Sequence, residues 1–286
     1  MATCNRRKLA IVTFYVTMGD VQIKTVRGPQ AADWALSHGV GAMSTAQVAD
    51  LLGVPPDQVR RRLAAPVRRG EWVTPARGLW VPVRPEHRAS GGPPGTELVD
   101  DLAEHLGFQY YVGWLSAAAH YGAAHHAPQV FQVATSTTVA DRDVGRVRMR
   151  FHRRTRVATV PTTPVRTYGG DVPHSTAAVT ALDVATDLDL AGGLDNAANV
   201  IIDLVAEADL DPADVVDAAQ WFPAASARRV GWLIETFVGP SGLDPLRTAA
   251  RVDDIPPSLL HPAYPRRGPT DTRWALCLNT EANPDT

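Results

Sequence analysis

The chain has 286 residues, 45% of them hydrophobic and 20% charged, which is enough to bury a sizeable core and to hold two domains. Its formal net charge of -2 excludes a uniformly basic nucleic-acid binder. The two cysteines, Cys4 and Cys277, lie too far apart for a metal-ligand or redox spacing, so a reducing, cytoplasmic setting is expected.

The average conceals segregated charge. Residues 57–88 hold eight arginines against three acids, and residues 141–156 hold seven arginines against two, so each stretch carries a local charge of +5. Residues 167–227 hold no Lys or Arg and eleven acids. Two basic segments therefore precede one acidic segment, whose acids either solvate the chain or face a basic protein partner.

Residues 1–27 open with three basic residues and a short apolar run, Leu9–Met18, that is interrupted by two threonines and a tyrosine. The run is too short to span a bilayer and lacks a small-x-small cleavage site, so a leader or an additional strand is expected, with no membrane partner. In "RGPQAADWALSHG" a proline marks a helix start, Ala32, Ala35 and Leu36 form its apolar side and glycine its stop. "MSTAQVADLLG" supplies Ser44 as N-cap, Gln47 as its capping-box partner and Gly53 as terminator.

A third helix is expected over "DQVRRRLAAPVRRG", with Val59, Leu63 and Val67 as its core stripe and Arg61 opposite, beside Asp57, Gln58 and Ala65. Pro66 is expected to kink or end it. "EWVT" and "LWVPV" flank the turn "PARG" and form a hairpin with Arg77 at its tip. Three short helices and a hairpin make a winged helix-turn-helix over residues 28–83.

Residues 84–95 read as a linker, and residues 96–286 as a mixed α/β domain. The fold class is thus α+β. Thr96 caps a helix; "QVFQVAT" and "VRMRFHR" alternate as strands, the second with Arg148 and Arg150 opposite Met149 and Phe151. The chain then reads as mainly helical up to Gly239, with Asp211 and Pro212 opening one helix, and closes on a late strand, "RWALCLN".

A basic helix and wing tip fit duplex DNA, because cations neutralise its phosphates and release counterions. In that geometry Gln58 and Arg61 reach base edges. Arg62, Arg68, Arg69 and Arg77 hold the backbone. Arg60 joins them or makes a structural salt bridge; a merely solvated basic face is the plainer alternative. His120, His125 and His126 form no metal-ligand pattern, no glycine cluster forms a phosphate loop, and no nucleophile elbow occurs, so no cofactor, metal or catalytic residue is expected.

The succession "RRGEWVTPARGLWVPV", "YYVGWLSAAAHYGAAHHAPQVFQVAT", "STAAVTALDVATDL", "ARRVGWLIETFVG" and "RWALCLN", spanning roughly Gly28–Asn279, resembles the AbiEi family, the antitoxins of type IV toxin-antitoxin systems. The resemblance implies a repressor-like antitoxin that binds inverted repeats in its own promoter and antagonises a nucleotidyltransferase-type toxin, with direct contact left open. It also implies a basic C-terminal surface that helps grip DNA, which Arg146, Arg148, Arg150, Arg153 and Arg154 match. The chain departs from the family where "AAVTALD" stands in place of an arginine-threonine pair, and at Pro66. The alternative function is a stand-alone winged-helix regulator whose C-terminal domain dimerises or senses a ligand.

Overall fold

The computed structural model describes residues 25–124, 129–239 and 241–285; most of the expected leader, and His125 and His126, lie outside them. The chain divides into two compact units. The first gathers the described residues up to Leu106 together with Arg142–Val147, and the second holds Gly107–Asp141 and the chain from Arg148 onward.

The first unit begins with α1 (Ala31–Ser37), β1 (Met43–Ser44) and α2 (Thr45–Leu52). Ser44 caps α2 as its sequence requires: its hydroxyl accepts from the Gln47 amide, and the Gln47 side chain accepts from the Ser44 amide at 2.7 Å. A turn of 3-10 helix (Pro56–Gln58) leads into two short pieces, α3 (Val59–Arg62) and α4 (Ala64–Arg68).

The break at Leu63 is the work of Pro66, which has no N–H for the Arg62 carbonyl and whose ring crowds that carbonyl. The break shifts the helical phase. Val59 and Leu63 are buried as expected, but Val67 is 40% exposed and Pro66 takes the core position in its place, which corrects the continuous stripe read from the sequence.

β2 (Trp72–Ala76) and β3 (Leu79–Pro82) form the hairpin, with an irregular register between Val73 and Ala76 where Pro75 cannot donate to the ladder. β1 adds a third strand, pairing Met43 with Trp80 in the order β1-β3-β2. Ala35, Val48, Leu52, Val59, Leu63 and Trp72 fill the core between helices and sheet. This order is compatible with a winged helix-turn-helix.

The stretch expected to be a linker opens with 3-10 helix Pro85–Ser90, and α5 (Gly95–Leu106), with Leu98, Val99 and Leu102 buried, groups with the first unit.

The second unit contributes β4 (Tyr110–Val112), α6 (Trp114–His120) and β5 (Val130–Thr135) before the chain visits the first unit with β6 (Arg142–Val144). There the backbone comes within contact of itself: a Cβ on Gly145 would lie 2.5 Å from the Gly91 carbonyl carbon, so only glycine fits.

The chain returns as β7 (Val147–Arg153), followed by β8 (Thr162–Thr167) and β9 (Gly170–Ser175). The strands run in the order β7-β5-β4-β9-β8, with β5–β7 and β4–β9 parallel and β4–β5 and β8–β9 antiparallel. The β8–β9 hairpin is absent from the sequence reading, which passed from the strand arginines straight to helices.

Helices α7 (Ala177–Thr186), α8 (Leu194–Glu207), α9 (Pro212–Ala219) and α10 (Ala224–Phe237) follow where expected, Asp211 capping α9 through the Ala213 amide at 2.8 Å. α7 is buried all round from Ala178 to Ala185, as befits the central helix of a cluster. After α11 (Asp244–Ala249), the short strands β10 (Ser258–Leu259), β11 (Thr270–Asp271) and β12 (Leu276–Cys277) form a small sheet with β12 in the middle, so the single late strand of the sequence reading is the centre of three.

α10 holds this last segment in place. Arg228, Gly231 and Glu235 recur at spacings of three and four and so share one face. Arg228, fully buried, donates to the carbonyls of Ala250, Arg251, Ile255, Pro256 and Ala275 and to the Ser258 hydroxyl. Arg229 donates to Leu259 and Leu260 and, at 2.8 Å, to the Ala185 carbonyl at the end of α7. Glu235 accepts from Arg273 and from the Trp274 indole.

Gly231 leaves room for the Trp274 ring: a Cβ there would lie 2.1 Å from two indole carbons. Gly231→Ala is therefore expected to destabilise the protein by about 1–3 kcal/mol through overpacking, read as a lower urea midpoint at unchanged m-value.

Candidate nucleic-acid interface

The basic segment at residues 57–62 is presented by a buried anchor and a proline-set turn. Val59 and Leu63 are sealed in the core, so Asp57, Gln58, Arg60, Arg61 and Arg62 between and before them are left exposed. Among the described residues, Arg60, Arg61, Arg62, Arg68 and Arg77 take part in no ion pair. Arg69 differs: its guanidinium is forked onto the Glu71 carboxylate at 2.7 and 3.0 Å, which offsets its charge.

Arg77 sits at the hairpin turn, whose backbone is held from behind: His105 Nε2 of α5 donates to the Arg77 carbonyl at 2.9 Å. Thr45 ties the hairpin to α2 by accepting from the Trp80 indole at 3.0 Å. A groove of about 680 Å³ runs between the start of this basic segment and the hairpin, lined by Arg60, Thr74, Arg77 and Arg142 among others. Arg142 was counted among the basic stretch in the sequence but not singled out; only its contacts within the first unit reveal its place.

The five arginines of the second basic stretch are not one surface. Arg146 groups with the first unit and is exposed. Arg148 and Arg150 lie on one face of β7 opposite buried Met149 and Phe151, as the alternation required, and Arg150 pairs with Asp141 at 3.6 Å. Arg153 is exposed at the strand end.

Arg154, by contrast, turns inward, which corrects its expected place on a DNA-facing surface. One terminal nitrogen meets Asp183 at 2.8 Å and Asp187 at 2.6 Å, and the guanidinium lies 5.1 Å from the Trp114 ring and 5.6 Å from Phe222. Tyr111 also donates to Asp183, and the Trp114 indole to Asp187, both at 3.1 Å. A cation held by two carboxylates and an aromatic face is a structural group.

His120 and His174 approach at 5.4 Å between rings, but no group of three metal-binding side chains occurs among the described residues.

Residues 111–236 match the family model of the AbiEi antitoxin C-terminal domain. By that match, this stretch of the chain resembles an AbiEi antitoxin C-terminal domain. Among solved structures, the crystal structure of the RV2827C protein from Mycobacterium tuberculosis is similar, with a TM-score of 0.64 at 15% identity over 88% of this chain and 92% of that one; at this identity the likeness concerns the fold. No curated protein matches the chain.

The Tyr111–Asp183–Arg154–Asp187–Trp114 cluster lies wholly within the matched AbiEi stretch. So do Arg228, Arg229, Gly231 and Glu235 of α10, whereas their partners from Ala250 onward lie beyond it. Burial pushes the Asp183 carboxyl up to about 7, against the pull of Arg154 and the Tyr111 hydrogen bond; its Oδ2 has no hydrogen-bond partner among the described residues. Burial also pushes the neighbouring His152 imidazole and that of His174 down.

A carboxyl raised from 3.8 to about 7 on folding holds a proton that the unfolded chain has lost. Its contribution to the stability of the fold is complete below pH 3.8 and is lost as the pH rises through 7. The two histidines act in the opposite sense, weakening the fold as the pH falls. Asp183→Asn keeps an acceptor for Tyr111 but removes the titration. Relative to this variant, the wild-type protein is expected to lose up to about 4 kcal/mol between pH 4 and 7, followed as urea midpoints across that range.

Proposed function

We propose that this protein is a cytoplasmic, non-enzymatic, DNA-binding antitoxin that represses its own toxin-antitoxin operon and antagonises a nucleotidyltransferase-type toxin. The AbiEi domain supports the antitoxin half of this reading and a toxin as partner in general. No described helix is long and apolar enough to cross a membrane.

The observation that carries the DNA half is the set of five exposed arginines, Arg60, Arg61, Arg62, Arg68 and Arg77, that no described carboxylate neutralises and that a helix and a hairpin turn present from one unit. Other arginines of the chain are paired or buried, among them Arg69, Arg84, Arg154 and Arg228. Charges left unpaired on a small helical unit fit a polyanion. Gln58 and Arg61, on the exposed side of the reading segment, face base edges, while Arg62, Arg68 and Arg77 hold phosphates. The repressor would bind inverted repeats in its own promoter.

The test is fluorescence anisotropy of the full chain on its own upstream DNA and on a shuffled fragment, over a salt series. Arg61→Ala is expected to weaken binding to the native fragment by about 1–3 kcal/mol and to relax the preference between fragments. An equal loss on both would remove Arg61 from base reading. Co-expression with a nucleotidyltransferase-type toxin is expected to restore growth that the toxin alone arrests.

A further inference from the structure

A second pocket, of about 500 Å³, opens among the end of α4, β2 and the β6 turn, and every residue lining it belongs to the first unit. Three features for which the fold itself has no use meet there. Trp72 is 1% exposed, and its indole N–H has no hydrogen-bond partner among the described residues. The other three buried tryptophans are satisfied: Trp80 donates to Thr45, Trp114 to Asp187 and Trp274 to Glu235. A buried donor without an acceptor is unfavourable, and an acceptor supplied from outside relieves it.

Val67 is the second feature. Pro66 has taken its core position, so an aliphatic side chain that is 40% exposed stands in the pocket wall. Arg68 is the third: it lines the pocket, is exposed and takes part in no ion pair. The two other guanidiniums of the wall are engaged, Arg69 with Glu71 and Arg88 with the Val83 carbonyl and Asp33.

Apolar surface from Val67, Val73 and Val144, with a few donors set into it, is the make-up of a small-molecule site, and the volume suits one. One free guanidinium and one N–H match the oxygens of a single carboxylate. Asp143, on the same wall, adds a negative charge and disfavours a dianion.

We propose that this pocket binds a small organic monocarboxylate, its carboxylate held by Arg68 and the Trp72 indole N–H and its apolar body lying on Val67 and Val73. The site does not depend on the DNA-binding reading. Arg68 is the one residue it shares with the proposed DNA contacts, so a carboxylate in the pocket and a phosphate compete for it.

Saturation-transfer NMR on the full chain tests the assignment, with benzoate and hexanoate as probes and benzamide, the neutral isostere of benzoate, beside them. Benzoate is expected to bind at millimolar concentration and benzamide about tenfold more weakly. Arg68→Gln and Val67→Glu change exposed side chains, so both variants are expected to keep the wild-type urea midpoint while binding benzoate about tenfold more weakly. Equal binding of benzoate and benzamide overturns the carboxylate assignment. Benzoate binding that neither substitution changes places the ligand elsewhere and overturns the site, as does the absence of transfer to both benzoate and hexanoate.

Discussion

Backbone carbonyls removed from water must find donors, and the chain between Ala250 and Leu260 folds back on the helical cluster without a regular element long enough to supply them. Arg228 and Arg229 solve this for the second unit. A guanidinium offers five N–H donors in a fixed fork, so two consecutive arginines on α10 satisfy most of that segment and one carbonyl at the end of α7. Burial pushes both side chains below their ordinary range, Arg229 to about 10, which leaves Arg229 charged at neutral pH. The small terminal sheet, the seating of Trp274 against Gly231 and the Glu235 contacts all follow from a tail already pinned to α10.

The same residue type thus does three different things in this chain. Arg228 and Arg229 bind carbonyls, Arg154 binds two carboxylates beneath an aromatic cover, and Arg60 to Arg62 remain unpaired at the surface. What separates them is burial and partner, not local composition. Arg154 and Arg153 are adjacent in sequence, and one turns in while the other turns out.

That contrast shows where the sequence was readable. Signals confined to a few residues held: the Ser44–Gln47 capping box, Asp211 before Pro212, and the alternation that set Arg148 and Arg150 against Met149 and Phe151. The α+β class was legible for the same reason, since helices and strands announced themselves by period. Signals that depend on a later residue slipped. Pro66 interrupts the helix at a residue three positions earlier, and Val67 changes face as a result. The β8–β9 hairpin escaped because β8, an edge strand exposed along most of its length, shows no apolar alternation. Arg142 and the inward turn of Arg154 are matters of tertiary contact, which no local pattern reports.

The excursion of Arg142–Val147 also bears on how the molecule can be taken apart. Its six residues pack in the first unit while the chain on either side of them is built into the second. Neither unit is therefore a continuous stretch of polypeptide. A fragment ending at Leu106 would lack the turn that covers Gly91 and Gly92 and would expose backbone that the intact protein keeps packed. Two peptide connections beyond the one at Leu106 join the units, so a protease nick between them leaves the halves covalently tethered. In evolutionary terms, the two units cannot be reshuffled by a simple end-to-end gene fusion: a new partner for either one must also reproduce, or do without, six residues inserted in the middle of the other.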